Sequence, residues 1–153
     1  ASAINVIALV LGIEINVGPL YDEAERIEKQ LQAPWRFRQW QTKDLLPAAE
    51  LVFDSYHNSI DAGLCHDYQS RQGCVRFLRN LIDSPACGRF RPEDTLVAVD
   101  HFDQVSGVLL ATRTQKTTEM IPQFSVRRRY QGRGLGTIML NCFLAQCHLG
   151  EVR

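Results

Sequence analysis

From Val126 to Gly136 the chain reads Val-Arg-Arg-Arg-Tyr-Gln-Gly-Arg-Gly-Leu-Gly, joining a strand-patterned segment to a helix-patterned one. Gly132, Gly134 and Gly136 have no Cβ, so the backbone is free to take left-handed conformations and to bring its N–H groups directly onto an anion. A helix starting here adds unpaired N–H groups and the positive end of its dipole. That is the chemistry of a phosphate cradle, with an ordinary tight turn and helix cap as the bland alternative. Two familiar cradles are excluded by spacing. A P-loop needs Gly-x-x-x-x-Gly-Lys-Ser/Thr, and the segment contains no lysine. A dinucleotide turn needs Gly-x-Gly-x-x-Gly and an acidic residue about 20 positions further on, whereas the glycines stand at 132, 134 and 136 and the sequence runs to 153.

The elements around this segment follow from periodicity. Residues 4–17 are rich in Ile, Val and Leu and stop at Gly18-Pro19, the pattern of a buried strand and a turn. Leu20, Ala24, Ile27 and Leu31 form one apolar stripe, which predicts a helix over 20–32 that Pro34 closes. Alternation of Trp35 and Phe37 with Arg36 and Arg38 predicts a strand over 35–41. Thr42 is a candidate cap for a helix to Tyr56, with Leu46, Leu51 and Val52 turned inward. A second helix is expected over 68–82, with Val75, Leu78 and Ile82 inward and Arg71, Arg76 and Arg79 outward. Pro85, Gly88 and Pro92 mark a loop, residues 95–100 and 105–113 a hairpin, and 119–126 a further strand. Ile138, Leu140, Phe143, Leu144 and Cys147 give the last helix, 137–149, a wide apolar face.

Composition narrows the partners. Lys+Arg and Asp+Glu are 17 each, so no global field draws the chain to nucleic acid or an anionic membrane. Nucleic-acid binding through residues 127–133 has only Tyr130 as a stacking ring. The five cysteines are odd in number and scattered, which suits reduced thiols and a cytoplasmic location. Cys65-His66 and Cys147-His148 are adjacent pairs whose side chains diverge, so no metal is expected. The apolar run 6–13 is shorter than the roughly 20 residues of a membrane span.

Gln131-x-x-Gly134-x-Gly136 after a strand ending at Val126 resembles motif A of the GNAT acetyltransferases, the acyl-CoA-dependent N-acyltransferase superfamily. In that family Gln/Arg-x-x-Gly-x-Gly/Ala binds the pyrophosphate of coenzyme A. The order of elements over residues 35–150 is also similar to that fold through its third helix. The resemblance implies an α/β (α+β) domain at 35–153, with a mixed, mostly antiparallel sheet and helices on both faces. In the family a splayed strand, a helix and two more strands follow, whereas here only Glu151-Val152-Arg153 remain. Two expectations stand: a fragment lacking the C-terminal strands, or a permuted or swapped domain in which the strand–helix extension at 1–34 completes the sheet. Asn16 to Tyr21 is faintly similar to the family's Asn…Leu-Tyr element. An unpaired strand edge would favour a homodimer.

By resemblance, Phe124, Ser125 and Val126 pair with the pantetheine arm and supply an oxyanion donor, while Gln131, Gly132, Arg133, Gly134, Leu135, Gly136 and Thr137 wrap the pyrophosphate. Arg127, Arg128 and Arg129 either add charge for the phosphates or are solubilising side chains, and the same holds for Arg133. Glu119 is the candidate base, or else a solvated residue at a strand end, and Gln123 is placed to orient water. Tyr21 replaces the family's thiolate-protonating tyrosine only in the permuted arrangement. Tyr56 and His57 stand where the family receives its acceptor, although His57 fits a surface role better. The implied activity is transfer of an acetyl group from acetyl-CoA to a primary amine of a small molecule, peptide or protein by direct attack. An acyl-CoA-binding regulatory module without turnover is the alternative.

Overall fold

The computed structural model describes residues 35–115 and 118–151. Expectations for 1–34, including the N-terminal strand and helix, the extension as a domain and Tyr21, lie outside the described residues. Strands β1 (Arg36–Gln39), β2 (Arg89–Phe90), β3 (Leu96–Val99), β4 (Val105–Gln115) and β5 (Thr118–Val126) form one sheet. All of its described pairings are antiparallel. β1 pairs with β3, and β3 pairs with β4. Because β5 opposes the same β4 residues as β3 at Gly107 to Leu109 and as β2 at Thr112 and Arg113, β3 and β2 must share the opposite edge of β4. β5 is therefore the last described strand on its side of the sheet.

Alternation divides the core between two faces. Leu96, Ala98, Leu109 and Ala111 pack against Leu135, Ile138, Met139, Phe143 and Leu144 of the helix α4 (Leu135–Glu151). On the other face Val97, Val99, Val108 and Leu110 pack against α1 (Leu45–Tyr56) and α3 (Arg71–Asp83). Three sequence expectations shift. Leu46 is 63% exposed, because the buried stripe of α1 is Ala48, Ala49, Leu51 and Val52 and Leu46 lies two residues, roughly 200°, before its first member. The stripe of α3 is Cys74, Leu78 and Leu81, at helical spacing, with Val75 and Ile82 at its margins. The cap before α1 is a Gln41–Asp44 box around a 3-10 turn rather than Thr42, and Arg38 grips buried Asp44 through two bonds of 2.7 and 2.8 Å. Short α2 (Ile60–Leu64) and β2 add elements too brief for periodicity to reveal.

One irregularity in β5 decides which side chains face which layer. Leu110 opposes Gln123 but Thr112 opposes Met120, so Ile121 and Pro122 together face Ala111 in a bulge. Pro122 lacks an N–H to donate to a ladder, which suits it to that position. Beyond the bulge Phe124 and Val126 join the α4 face, while Gln123 and Ser125 turn to the α1–α3 face. Among the described residues, no helix is long and apolar enough to cross a membrane.

Candidate functional site

Arg127 N–H bonds to Ser106 C=O at 2.8 Å, which orients the end of the β4–β5 ladder. Two residues earlier Ser125 must also turn its backbone to β4, so the N–H and C=O groups of Phe124 and Val126 point to the outer edge of β5. Among the described residues no strand pairs with that edge. Its carbonyls are engaged by side chains: Tyr56 Oη donates to Phe124 C=O at 2.9 Å, while Ser55 Oγ and Gln131 Nε2 donate to Val126 C=O at 3.2 and 2.9 Å. The edge N–H groups face an open cleft of about 400 Å³ lined by Ser55, Tyr56, Ser59 and Asp61 on one side and Phe124, Ser125, Val126, Gln131 and Gly136 on the other.

The glycine turn follows directly. Gly132 and Gly134 have φ of +72° and +89°, left-handed values that a side chain adopts only with strain. Gly136 is different: it lies inside α4, and a Cβ there would meet Phe124 and Val126 side chains at an ordinary 3.7 Å. The first helical bond runs from Ile138 N–H to Gly134 C=O at 3.0 Å. The N–H groups of Leu135, Gly136 and Thr137 therefore precede the helical ladder and form the donor end of α4. Gln131 and Arg133 spend their N–H groups on the Arg128 and Tyr130 carbonyls, so the donors left for a pyrophosphate are those of Gly132 and of Gly134 through Thr137.

The arginines separate into two kinds. Arg127 donates twice to Val105 C=O, at 2.7 and 3.1 Å, and lies 3.7 Å from Asp54. Arg129 pairs with buried Asp100 at 3.0 Å and stacks over Tyr130. Both guanidinium groups are occupied in holding the loop. Arg128 and Arg133 are exposed and carry no ion pair among the described residues, so they retain charge for a phosphate. Tyr130 anchors the loop through an edge contact on the Trp35 ring and a 3.3 Å bond to Asp100. Burial alone would raise the Asp100 pKa, but donors from Gln104 and Phe102 N–H, Tyr130 and Arg129 outweigh it and hold the carboxyl below its usual range.

On the α1–α3 face, Tyr56 and Tyr68 stack with centroids 4.9 Å apart. Tyr68 reaches Gln123, and burial, followed by the neighbouring Tyr56, raises its phenol well above the ordinary value. Sequence reasoning singled out neither Ser59 and Asp61, which line the cleft, nor Tyr68, which reaches Gln123 without lining the cleft. They come from the segment around α2, whose approach to β5 is a tertiary contact without a local signal. His57 stacks on Phe53 and bonds to its carbonyl, outside the cleft lining.

Glu119 stands apart. It opposes Arg113 and pairs with it, on the α4 face, five residues or about 16 Å of strand from Phe124. It is 4% exposed, and its Oε2 has no hydrogen-bond partner among the described residues. Burial raises its pKa, and the pairing with Arg113 does not cancel the effect. Of the residues expected from sequence, Phe124, Ser125, Val126, Gln131 and Gly136 line the cleft, Arg127, Arg128, Gly132, Arg133, Gly134, Leu135 and Thr137 lie in the adjoining loop and helix start, and Glu119 is outside the lining.

An antiparallel sheet with two helices on one face and one on the other, whose last described strand runs through a glycine turn into that single helix, is the GNAT acetyltransferase fold. Solved acetyltransferase structures share it with this chain, one of them described as of the GNAT family, from Desulfovibrio desulfuricans. One, described as a candidate acetyltransferase from Pyrococcus horikoshii, matches with a TM-score of 0.58 and 16% identity over 76% of this chain and 35% of its own. Ard1 from Thermoplasma volcanium matches with a TM-score of 0.51 and 20% identity over 76% of this chain and 65% of its own. The PaiA N-acetyltransferase from Thermoplasma acidophilum, solved in complex with coenzyme A, matches with a TM-score of 0.53 and 12% identity over 76% of this chain and 74% of its own. The chain thus spans about a third of the first and just under two thirds of the second. No protein-family model and no curated protein matches it.

Proposed function

We propose that this chain binds acetyl-CoA along the outer edge of β5 and transfers its acetyl group to a primary amine of a small molecule, peptide or protein. The observation that carries this reading is that one cleft is lined by Phe124 and Val126 of the free β5 edge and by Gly136 at the N-terminus of α4, with Gly132 and Gly134 in left-handed conformation in the turn between them. The pantetheine arm lies along the edge, and the pyrophosphate meets the turn with Arg128 and Arg133 near it. The neutral amine attacks the thioester carbonyl carbon and forms the C–N bond as the C=O pair moves onto oxygen. An edge N–H stabilises that oxyanion. Collapse restores the C=O bond, the C–S pair leaves on sulfur, and the proton lost by the amine is balanced by one taken up by the thiolate. Asp61 and Tyr56 are the titratable groups that line the cleft on the acceptor side.

A second reading, an acyl-CoA-binding regulatory module without turnover, is favoured by one observation: Glu119, the carboxylate expected to act as base, is outside the cleft lining. An amine panel assayed for free CoA release separates the two. Release with any amine supports the transferase, whereas saturable acetyl-CoA binding with no release across the panel supports the module. A reducing, cytoplasmic setting is proposed with either, since five cysteines, odd in number and scattered in sequence, suit reduced thiols. A homodimer through the outer edge of β5 is a further proposal, tested by sedimentation with and without acetyl-CoA.

A further inference from the structure

On the α1–α3 side of β5, Ser125 ends a chain of hydrogen bonds that begins at a buried phenol. Tyr68 Oη donates to Gln123 Oε1 at 3.0 Å, and Gln123 Nε2 donates to Ser125 Oγ at 2.8 Å. Gln123 and Ser125 are each only 3% exposed. A serine hydroxyl carries one proton and two lone pairs. Here the amide occupies a lone pair, and among the described residues nothing accepts the proton. A buried donor in that state is satisfied only by what enters the cleft, water in the free protein or a ligand that displaces it. Ser125 lines the cleft between Phe124 and Val126, the two residues whose backbone N–H groups reach the outer edge.

We propose that the Ser125 hydroxyl donates a hydrogen bond to the carbonyl oxygen of an acyl thioester seated on the β5 edge, as a second oxyanion donor beside the backbone N–H. Gln123 and Tyr68 are positioning residues. The proposal rests on the acetyl-transfer reading of the cleft and adds a side-chain donor to it. A phenol is protonated at neutral pH and burial raises the Tyr68 value further, so Tyr68 is a donor, and its bond to Gln123 Oε1 turns the Gln123 nitrogen toward Ser125. Accepting from that nitrogen polarises the Ser125 O–H and strengthens it as a donor. The hydroxyl keeps its proton throughout. It stabilises the charge that moves onto oxygen while the C–N bond forms, and it releases that charge as the C–S pair departs.

The test is isotope-edited infrared spectroscopy of acetyl-CoA carrying ¹³C at the acetyl carbonyl, bound to the wild type, Ser125→Ala, Ser125→Thr and Tyr68→Phe. Affinities are measured by calorimetry alongside. Ser125→Ala is expected to move the bound carbonyl stretch to higher frequency with little change in affinity. With an accepted amine it is expected to lower kcat about 100-fold at nearly constant KM for acetyl-CoA. Ser125→Thr keeps the hydroxyl and should retain the wild-type stretch, and Tyr68→Phe should move it part of the way. A bound stretch in Ser125→Ala identical to that of the wild type overturns the donor role and leaves the acyl-CoA site standing. Failure of the folded wild type to bind acetyl-CoA overturns both.

Discussion

At the two ends of β5 lie two buried carboxylates, Asp100 beside the arginine-rich loop and Glu119 beside Arg113. Asp100 accepts bonds from two backbone N–H groups, from Tyr130 and from Arg129, and its pKa is lowered. Glu119 is hydrogen-bonded by one guanidinium, that of Arg113, with Arg91 acting only through its charge and Asp94 opposing it; one of its oxygens has no partner among the described residues, and its pKa is raised. Burial pushes both upward, so the number of donors decides the sign. The well-supplied carboxylate fixes the loop that carries the glycine turn. The under-supplied one sits at the far end of the strand with its pKa raised by burial.

The sharpest way to break this comparison is in the loop that Asp100 braces. Gly134→Val puts a β-branched side chain at φ +89°, strained by on the order of 2 kcal/mol, and should abolish saturable acetyl-CoA binding while circular dichroism still reports a folded chain. Next in size, Asp100→Asn removes the charge that Arg129 and Tyr130 grip. It should cost about 2 kcal/mol in urea unfolding and weaken acetyl-CoA binding in the variant that remains folded. In the wild type that contribution is present above the ordinary Asp value of 3.8 and is lost as pH falls below it through the lowered folded value.

Glu119 has the opposite sign and a smaller effect. A raised carboxyl contributes its full share below the ordinary Glu value of 4.5 and loses it as pH rises through the folded value. Urea midpoints from pH 4 upward should therefore move in favour of Glu119→Gln relative to the wild type. A difference that shrinks with rising pH would show that Arg113 dominates after all. The smallest effect belongs to Gly136→Ala. A Cβ fits there, so stability should stay the same or rise by about 0.5–1 kcal/mol, and acetyl-CoA affinity should fall far less than in Gly134→Val.

Much of this arrangement is legible in local patterns. The glycine turn, the strand before it and the apolar face of α4 are runs of neighbouring residues, so spacing alone locates them. The bulge is not. Simple alternation puts 119, 121, 123 and 125 on one face, and only the pairing with β4 shows that two residues opposite Ala111 send Glu119 and Gln123 to different sides. The Tyr68–Gln123 bond spans 55 positions and the Tyr56–Phe124 bond spans 68, distances over which a single sequence carries no register. The arginines show a third case. Their clustering is visible in the sequence, but the division into Arg127 and Arg129, which hold the loop, and Arg128 and Arg133, which stay exposed, depends on where Val105, Asp54 and Asp100 arrive in space.

The central claim is that the β5 edge and the turn at Gly132 and Gly134 form an acyl-CoA site, and calorimetric titration with acetyl-CoA tests it most directly, with dephospho-CoA and ATP as comparators. The account predicts saturable one-to-one binding that prefers acetyl-CoA and disappears in folded Gly134→Val. A folded wild type that fails to bind, or a Gly134→Val variant that binds as tightly as the wild type, would contradict it.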